Sequence, residues 1–357
     1  MENEFVVEEA LKTNGAPGVA GQARIKIIGA GGAGCNIVSH IYKKGIVGVE
    51  TIIANTDEVQ LKARSAHQRL LLGKEVTRGL GAGGDWRIGK RAAEESASEI
   101  KNLLKGSDLT FLITGLGGGT GTGAAPVIAK VSKELGAITI AVVTTPFTWE
   151  GGSRLETAEI GLKELRNYAD TVILIDNQRL VKLAGNAGAD QAYALANDII
   201  YNMISGIVNI LLDVNATIHR DFADIRAIMN KGGVAMIGVG ESSSSEDRAG
   251  EAIRKALSNP LLEVNYKGAK GALIHIHGGT DLGIQEVEKV MQYVSQFLDL
   301  NASIVPGVTT DPNMNGKIRV TAIIVGVNSP YIVGKEESTA AGTVSKALQN
   351  ELGIKML

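Results

Sequence analysis

The stretch Gly115 to Gly123 reads Gly-Leu-Gly-Gly-Gly-Thr-Gly-Thr-Gly and restricts the fold more than any other part of this 357-residue chain. Leu109 to Ile113 before it form a short apolar run of strand character. Ala124, Val127, Ile128, Val131 and Leu135 after it recur at helical spacing, so the glycines are expected to fill a strand-to-helix turn. Such a turn aims backbone N–H groups at one point, beside the positive end of a helix, and lets an anion approach with no Cβ in the way. It reads as a phosphate cradle, since a flexible linker would not be flanked so closely by strand and helix. The Gly-Lys-Ser/Thr ending of the ordinary P-loop is missing. Thr120, Thr122 and a bound cation, Mg2+ or a monovalent ion, would have to share the neutralisation of the phosphates.

Charge is close to balanced, with 36 Lys and Arg against 38 Asp and Glu, which gives no electrostatic ground for nucleic acid or an anionic membrane as main partner. The one cysteine, Cys35, excludes an intramolecular disulfide and fits a reducing cytoplasm. Met1 to Gln22 carries Glu2, Glu4, Glu8 and Glu9 and lacks the apolar core of a secretory signal. No uninterrupted apolar run reaches bilayer length, so no direct membrane insertion is expected, and a cytoplasmic location is.

Residues 1 to 22 mix charge with Gly15, Pro17 and Gly21 and read as a mobile arm. From Arg24 strands and helices alternate: strands at Ile25–Ile28, Thr51–Ala54, Leu109–Ile113, Ile138–Val143 and Thr171–Ile175. Helices are expected at Asn36–Lys43, Ile88–Leu104, Ala124–Leu135 and Arg154–Tyr168. That order builds an α/β parallel sheet of Rossmann type with helices on both faces. A long helix from Asp190 to Leu212 is apolar nearly all round, as expected of one packed between two domains. Beyond it, strands at Val234–Val239, Ala272–Ile276, Ser303–Val308 and Ile318–Val325, with helices at Glu246–Leu257 and Ile284–Leu298, suggest a smaller α+β sandwich. Lys335 to Thr343 reads as a polar linker before a short tail.

A second cluster, Gly29-Ala-Gly-Gly-Ala-Gly34, follows the first strand and satisfies the dinucleotide fingerprint, with Asp57 where a ribose-binding acid would stand. A nicotinamide-dependent oxidoreductase is therefore a competing reading. A dinucleotide needs one glycine turn, however, and this chain has three: Gly29–Gly34, Gly79–Gly84 and Gly115–Gly123. Three phosphate-facing turns on one sheet edge suit a nucleoside triphosphate better.

The run Gly117 to Gly123 resembles the signature loop of the tubulin and FtsZ superfamily, the GTP-dependent cytoskeletal proteins. Gly31 to Asn36, Asn55-Thr56-Asp57, Gly81 to Gly84, Pro146-Phe147 with Glu150-Gly151 and Arg154, Asn177 to Leu180, and Asp221 to Ile225 follow in the family's order. The resemblance spans about Arg24 to Val327 and is closer to FtsZ, of archaeal or bacterial type, than to tubulin. It implies a GTP-binding domain at 23–189, a central helix at 190–213, an α+β activation domain at 214–332 and a linker with tail at 333–357. It implies that Gly31, Gly32, Asn36, Asn55, Gly83, Gly84, Gly118, Gly119, Thr120, Gly121 and Thr122 serve GTP or GDP on the phosphate side. Glu150, Arg154 and Asn177 would reach ribose and base, and Asn197, with Tyr193 one turn earlier, would read guanine through an amide that both donates and accepts. It also implies a filament of the cell-division ring at the division site, and a tail, Leu352 to Leu357, similar to the family's docking peptide for a membrane tether or division regulator.

If Asn197 touches the base, the helix runs about 15 residues at 1.5 Å each, roughly 22 Å, before the loop with Asp221 and Asp224 begins. As catalytic residues these carboxylates could act only on the nucleotide of another subunit, which requires head-to-tail filaments. Standing alone, they would read as a helix-capping pair. FtsZ proteins usually read Pro-Gly-Leu-Ile-Asn-Val-Asp-Phe here, whereas this chain reads Asn-Ala-Thr-Ile-His-Arg-Asp-Phe, with His219 in place of asparagine. Slow or absent hydrolysis is therefore expected even where binding and assembly persist, and a non-hydrolysing paralogue stays open. His275 and His277 share one strand face but lack a third ligand, so packing is the expected role and no metal site is assigned. Cys35, at a helix start that could lower its pKa, reads as a small packing residue. Ser242 to Ser245 form a polar turn and a candidate helix cap.

Overall fold

Apart from the half-buried Lys26, the first strand, β1 (Ile25–Ala30), is apolar and buried, as a strand covered on both faces must be. The computed structural model describes residues 23–178, 188–212, 222–229, 233–258 and 268–327. The arm at 1–22, Arg179 and Leu180, the Asn215-Ala216 turn, His219, Arg220, Asp221, the 335–343 linker and the tail lie outside the described residues. After β1 come α1 (Gly31–Lys44), β2 (Val49–Asn55), α2 (Glu58–Lys62), β3 (Gln68–Leu71), α3 (Lys74–Thr77), α4 (Trp86–Glu95) and α5 (Ala97–Leu104). The chain continues through β4 (Leu109–Gly115), α6 (Gly119–Glu134), β5 (Ile138–Thr144), α7 (Gly152–Leu165), β6 (Thr171–Ile175), α8 (Ala189–Leu212) and α9 (Phe222–Met229). It ends with β7 (Gly233–Ser242), α10 (Arg248–Leu257), β8 (Ala269–Gly278), α11 (Ile284–Ser295), β9 (Leu298–Thr310) and β10 (Ile318–Val327).

The order β3-β2-β1-β4-β5-β6 is parallel throughout, and it reverses direction between β1 and β4. Such a reversal opens a crevice at the carboxyl ends of the strands, where ligands of open α/β sheets bind. Ala30 lies beside Ala54 and Thr114, Gly115 beside Thr144, and Thr144 beside Ile175, so these ends form one edge. A short pairing of Thr171 and Val172 with Gly233 and Val234 joins β6 to the smaller sheet, ordered β7-β10-β8-β9. There β10 is antiparallel to both neighbours. Helices α10 and α11 cover one face of that sheet.

The ten strands form one continuous sheet, and helix α8 packs against both of its parts. Ile200, Met203, Ile204, Ile207 and Val208 pack into the same core as Ile27, Phe111 and Ile173 on one side and Ile237, Leu273 and Ile323 on the other. Its buried face accounts for Ala196, Ile200, Met203, Ile204, Ile207 and Val208, while Tyr193 and Leu195 are exposed and Ile199 and Leu211 half-buried, so the apolar pattern is wider than the face that packs. By length and hydropathy alone Tyr193–Leu212 would also serve as a membrane span; its buried residues belong to the core shared with the sheet.

Three expectations need correction. The helix foreseen over Ile88–Leu104 is two, broken at Ser96, whose buried hydroxyl accepts a hydrogen bond from Gly73 N at 3.0 Å. Helix α6 begins at Gly119 rather than Ala124, so only Leu116 to Gly118 form the turn. Asp247, not a serine, caps α10 by accepting from Gly250 N at 2.8 Å, while Ser242 donates to Glu251.

Arg248, at the start of α10, holds Glu286 with Nε and Nη2 (2.7 and 2.9 Å) and Asp281 with Nη1 (2.6 Å). Arg248→Ala strips the Glu286 carboxylate of its main partner and should lower stability by roughly 2–3 kcal/mol, read as a lower melting temperature. Arg248 holds the Glu286 carboxyl below its ordinary range. A lowered carboxyl stabilises the fold above its unfolded pKa and loses that effect as pH falls through the folded value. The gap between parent and variant should therefore narrow in acid, below about pH 4.

Candidate functional site

The first and third glycine turns meet at the switch point. A Cβ on Gly31 (φ +72°) would stand 2.7 Å from Gly121 N, and one on Gly121 would stand 2.5 Å from both Gly115 O and Thr114 Oγ1. These two glycines let the turns pack backbone against backbone. At Gly118 the case is opposite: a Cβ there meets nothing within 4 Å. The middle turn closes the third side. Gly81 N donates to Thr56 O at 3.1 Å, Glu58 N to Gly79 O at 3.0 Å, and a Cβ on Gly119 would lie 2.9 Å from Ala82 Cβ. Gly83 and Gly84, both left-handed, face open space. Thr56 and Thr120 share a hydroxyl contact of 2.6 Å that ties the end of β2 to the start of α6.

Helices α1 and α6 start side by side here, and neither has a side-chain cap or an acidic residue in its first turn. Their leading N–H groups receive no capping side chain, the arrangement in which a helix start can accept an anion. By contrast α2, α4 and α10 are capped by Asp57, Asp85 and Asp247. Asn55, at the end of β2, is 2 % exposed; its Oδ1 accepts from Thr56 N, and its buried Nδ2 has no protein partner. An amide donor left unpaired in this way costs about 1–3 kcal/mol, so a ligand oxygen suits it.

Thr122 differs from its expected role. It is 1 % exposed and its hydroxyl accepts from Gly117 N at 2.9 Å, so its side chain braces the turn instead of facing a ligand. Asn36, exposed on α1, accepts from Arg64 Nε, a contact that spacing could not disclose because 28 residues separate the two. Beyond β5, Glu150 pairs with Arg154 and accepts from Phe147 N at 2.9 Å. Asn177 is half-buried just past β6. Tyr193 stands edge-on to Phe147 at 5.9 Å, and Phe147 stacks on the exposed Trp149 at 5.3 Å. Trp149 is a member of this cluster that sequence reasoning passed over. Asn197 is half-buried one turn below Tyr193.

Asp221 lies outside the described residues, and so does the side chain of Asp224, whose backbone belongs to α9. Arg226 of α9 donates to Gly136 O at 3.3 Å, just past the end of α6, and Thr171, the first residue of β6, donates to Met229 Sδ at 3.8 Å. Helix α9 therefore sits at the amino edge of the strands, opposite the glycine turns.

Residues 24–185 match the GTPase domain of the Tubulin/FtsZ family and residues 233–328 the FtsZ family C-terminal domain. Cell division protein FtsZ 1 of Pyrococcus furiosus is 47 % identical over 317 residues, covering 89 % of this chain and 84 % of that protein. This chain belongs to the FtsZ family. Cell division protein FtsZ 2 of Methanocaldococcus jannaschii is 48 % identical over 318 residues, covering 88 % and 83 %. Among solved structures, an FtsZ dimer of M. jannaschii is 42 % identical with a TM-score of 0.79, covering 96 % of this chain and 98 % of that one. CetZ2 of Haloferax volcanii, at 22 % identity and a TM-score of 0.74, shares the fold.

Family membership removes the oxidoreductase reading, and the local geometry gives the reason. Asp57 accepts from Gln60 N at 3.0 Å and Gln60 Nε2 at 2.9 Å, so both its oxygens serve α2 and not a ribose. Cys35 is buried, and burial pushes its thiol up to about 12, the reverse of the lowering that a helix start can bring. His275 is buried with Nε2 2.9 Å from Thr309 Oγ1. Among the described residues no cluster of three or more metal-ligating side chains occurs.

Proposed function

We propose that this FtsZ-family chain is a GTP-binding cell-division protein that polymerises and hydrolyses GTP, with the nucleotide at the switch point of the larger sheet. The observation that carries the reading is the convergence of three glycine turns on the uncapped starts of α1 and α6. Their N–H groups offer a polyphosphate many hydrogen bonds at once, and Asn55 Nδ2 adds a donor that the fold leaves unused. In this reading the backbone at Gly31, Gly32, Gly83, Gly84, Gly118, Gly119, Thr120 and Gly121 takes the phosphates, with a cation completing the charge balance. Asn36 stands with the phosphate-side residues, Glu150, Arg154 and Asn177 line the ribose and base side, and Tyr193 and Asn197 meet the base.

The dimer among the solved relatives supports self-association, and head-to-tail stacking is the arrangement we propose. Asp221 and Asp224 would then orient water at the neighbour's γ-phosphate, in a reaction whose catalysis rests on positioning and electrostatics. His219 and Arg220, which replace the usual Asn-Val, favour slow hydrolysis, and at the limit a paralogue that assembles without turnover. We assign the nucleotide domain to 23–189, the activation domain to 214–332, and tether or regulator docking at the division site to Leu352–Leu357.

Asn197→Leu tests the base side. Removing the amide leaves the guanine edge unpaired and should cost roughly 1–3 kcal/mol in GTP binding, measured by calorimetry. Equal affinity of the parent protein for ATP and GTP, or tight binding of NAD, would overturn the assignment.

A further inference from the structure

Helix α1 carries Asn36, His40 and Lys44 at successive four-residue steps, which places them along one face. The first half of α8 carries Tyr193, Asn197 and Tyr201 at the same spacing, with Asp198 beside them. Both helices run away from the glycine-bearing edge. Tyr193 touches Phe147 at that edge, while the other end of α8, Leu212, packs at Gly48, just before β2 begins. The two faces therefore descend in step, with Asn36 and Asn197 in the upper turns of their helices.

Below that level the helices are bolted together. His40 Nε2 lies 2.7 Å from Asp198 Oδ1, and Lys44 Nζ donates to the same oxygen at 2.6 Å. Lower still, the Tyr201 hydroxyl donates to Gly45 O at 3.2 Å, and the Lys44 ammonium lies 4.9 Å from the Tyr201 ring centre. The Lys44 ammonium, with His40 second, holds the Asp198 carboxyl below its ordinary range.

Asp198 is the next residue after Asn197 on α8, so a shift of Asp198 against α1 carries Asn197 with it. Side-chain ends lie roughly 5–6 Å from a helix axis, and a roll of about 20° would move the Asn197 amide by about 2 Å. A hydrogen bond does not survive that displacement. The side chains of Asp198 and Lys44 are 43 % and 39 % exposed, and an exposed pair adds little to global stability. The effect of the contact should therefore appear in recognition and not in melting.

We infer that His40 and Lys44, acting through Asp198, form a clamp that positions the Asn197 amide against the guanine edge and so sets base selectivity. They are positioning residues and do not touch the nucleotide. The inference rests on the reading that Asn197 meets the base.

The test compares GTP with ITP, which lacks the 2-amino group, by calorimetry on the full chain, alongside melting temperatures. Asp198→Ala should lower the preference for GTP over ITP by about tenfold, the effect of one misaligned hydrogen bond, with the melting temperature nearly unchanged. His40→Ala should act in the same direction, and the double variant should be no worse than Asp198→Ala alone, because both break one device. Asp198→Asn, which keeps an acceptor for Lys44, should restore most of the preference. If Asn197→Ala lowers the preference but Asp198→Ala and His40→Ala leave it at the parent value, the clamp is wrong and the base assignment stands. If Asn197→Ala itself leaves the preference unchanged, the base assignment falls and the clamp with it.

Discussion

Gly118→Asp should lower GTP affinity by two to three orders of magnitude while leaving the melting temperature close to that of the parent. Gly118 is the N-cap of α6 and has φ −96°, an angle that any residue adopts. A Cβ there meets nothing within 4 Å, so the fold can accept the side chain. Asp is moreover a favoured N-cap, and its carboxylate would accept from the very N–H groups that the phosphates need. Occupation of those donors and repulsion between like charges near 4 Å act together. At an effective dielectric constant of 20 the repulsion alone is about 4 kcal/mol. Gly121→Ala provides the contrast. Its methyl would stand 2.5 Å from Gly115 O, so the turn must shift, and both stability and affinity should fall. Undiminished GTP binding by Gly118→Asp would mean that the phosphates lie elsewhere.

The contrast between these two glycines marks how far the sequence could be read. Strand and helix around Leu109 to Leu135 were legible because buried strands and an apolar helix stripe leave strong periodic signals, whereas the helix start at Gly119 was not, since glycines carry no such signal. The convergence of the three turns was legible as well, since alternating strands and helices force all the carboxyl ends onto one edge. What a given glycine does was not, because Gly118 and Gly121 look alike in a string of letters while one faces open space and the other faces Gly115 O. Thr122 looked like a ligand residue for the same reason, and its use by Gly117 N emerges only from the folded turn. The edge strand β3 escaped notice because Gln68 and Arg69 give it no apolar alternation. The His40–Asp198 contact joins residues 158 apart, and no local spacing encodes it.

Turnover per subunit should be close to zero below the concentration at which filaments form and should rise steeply above it. Two independent paths across the structure lead to this. Along α8, Asn197 to Leu212 is about 15 residues, roughly 22 Å. Along α6, the 16 residues from Gly119 to Glu134 span about 24 Å between the glycine cradle and the end where Arg226 of α9 reaches Gly136. The helix that bears Asp224 thus stands at the far edge from the proposed nucleotide of its own subunit, and only a neighbour stacked head to tail can bring the two together. Such a contact uses different surfaces on the two partners and grows open filaments. Asp224→Ala and Asp221→Ala should keep GTP affinity near the parent value and lower turnover by about a hundredfold or more, the range for loss of a group that positions or deprotonates water. Their filaments should persist longer, since the bound triphosphate survives. His219→Asn should raise turnover if the family's neutral amide is what this chain lacks. Phosphate release measured over a dilution series decides the matter: a rate per subunit independent of concentration, with both aspartate variants hydrolysing normally, would exclude a site completed by the next subunit.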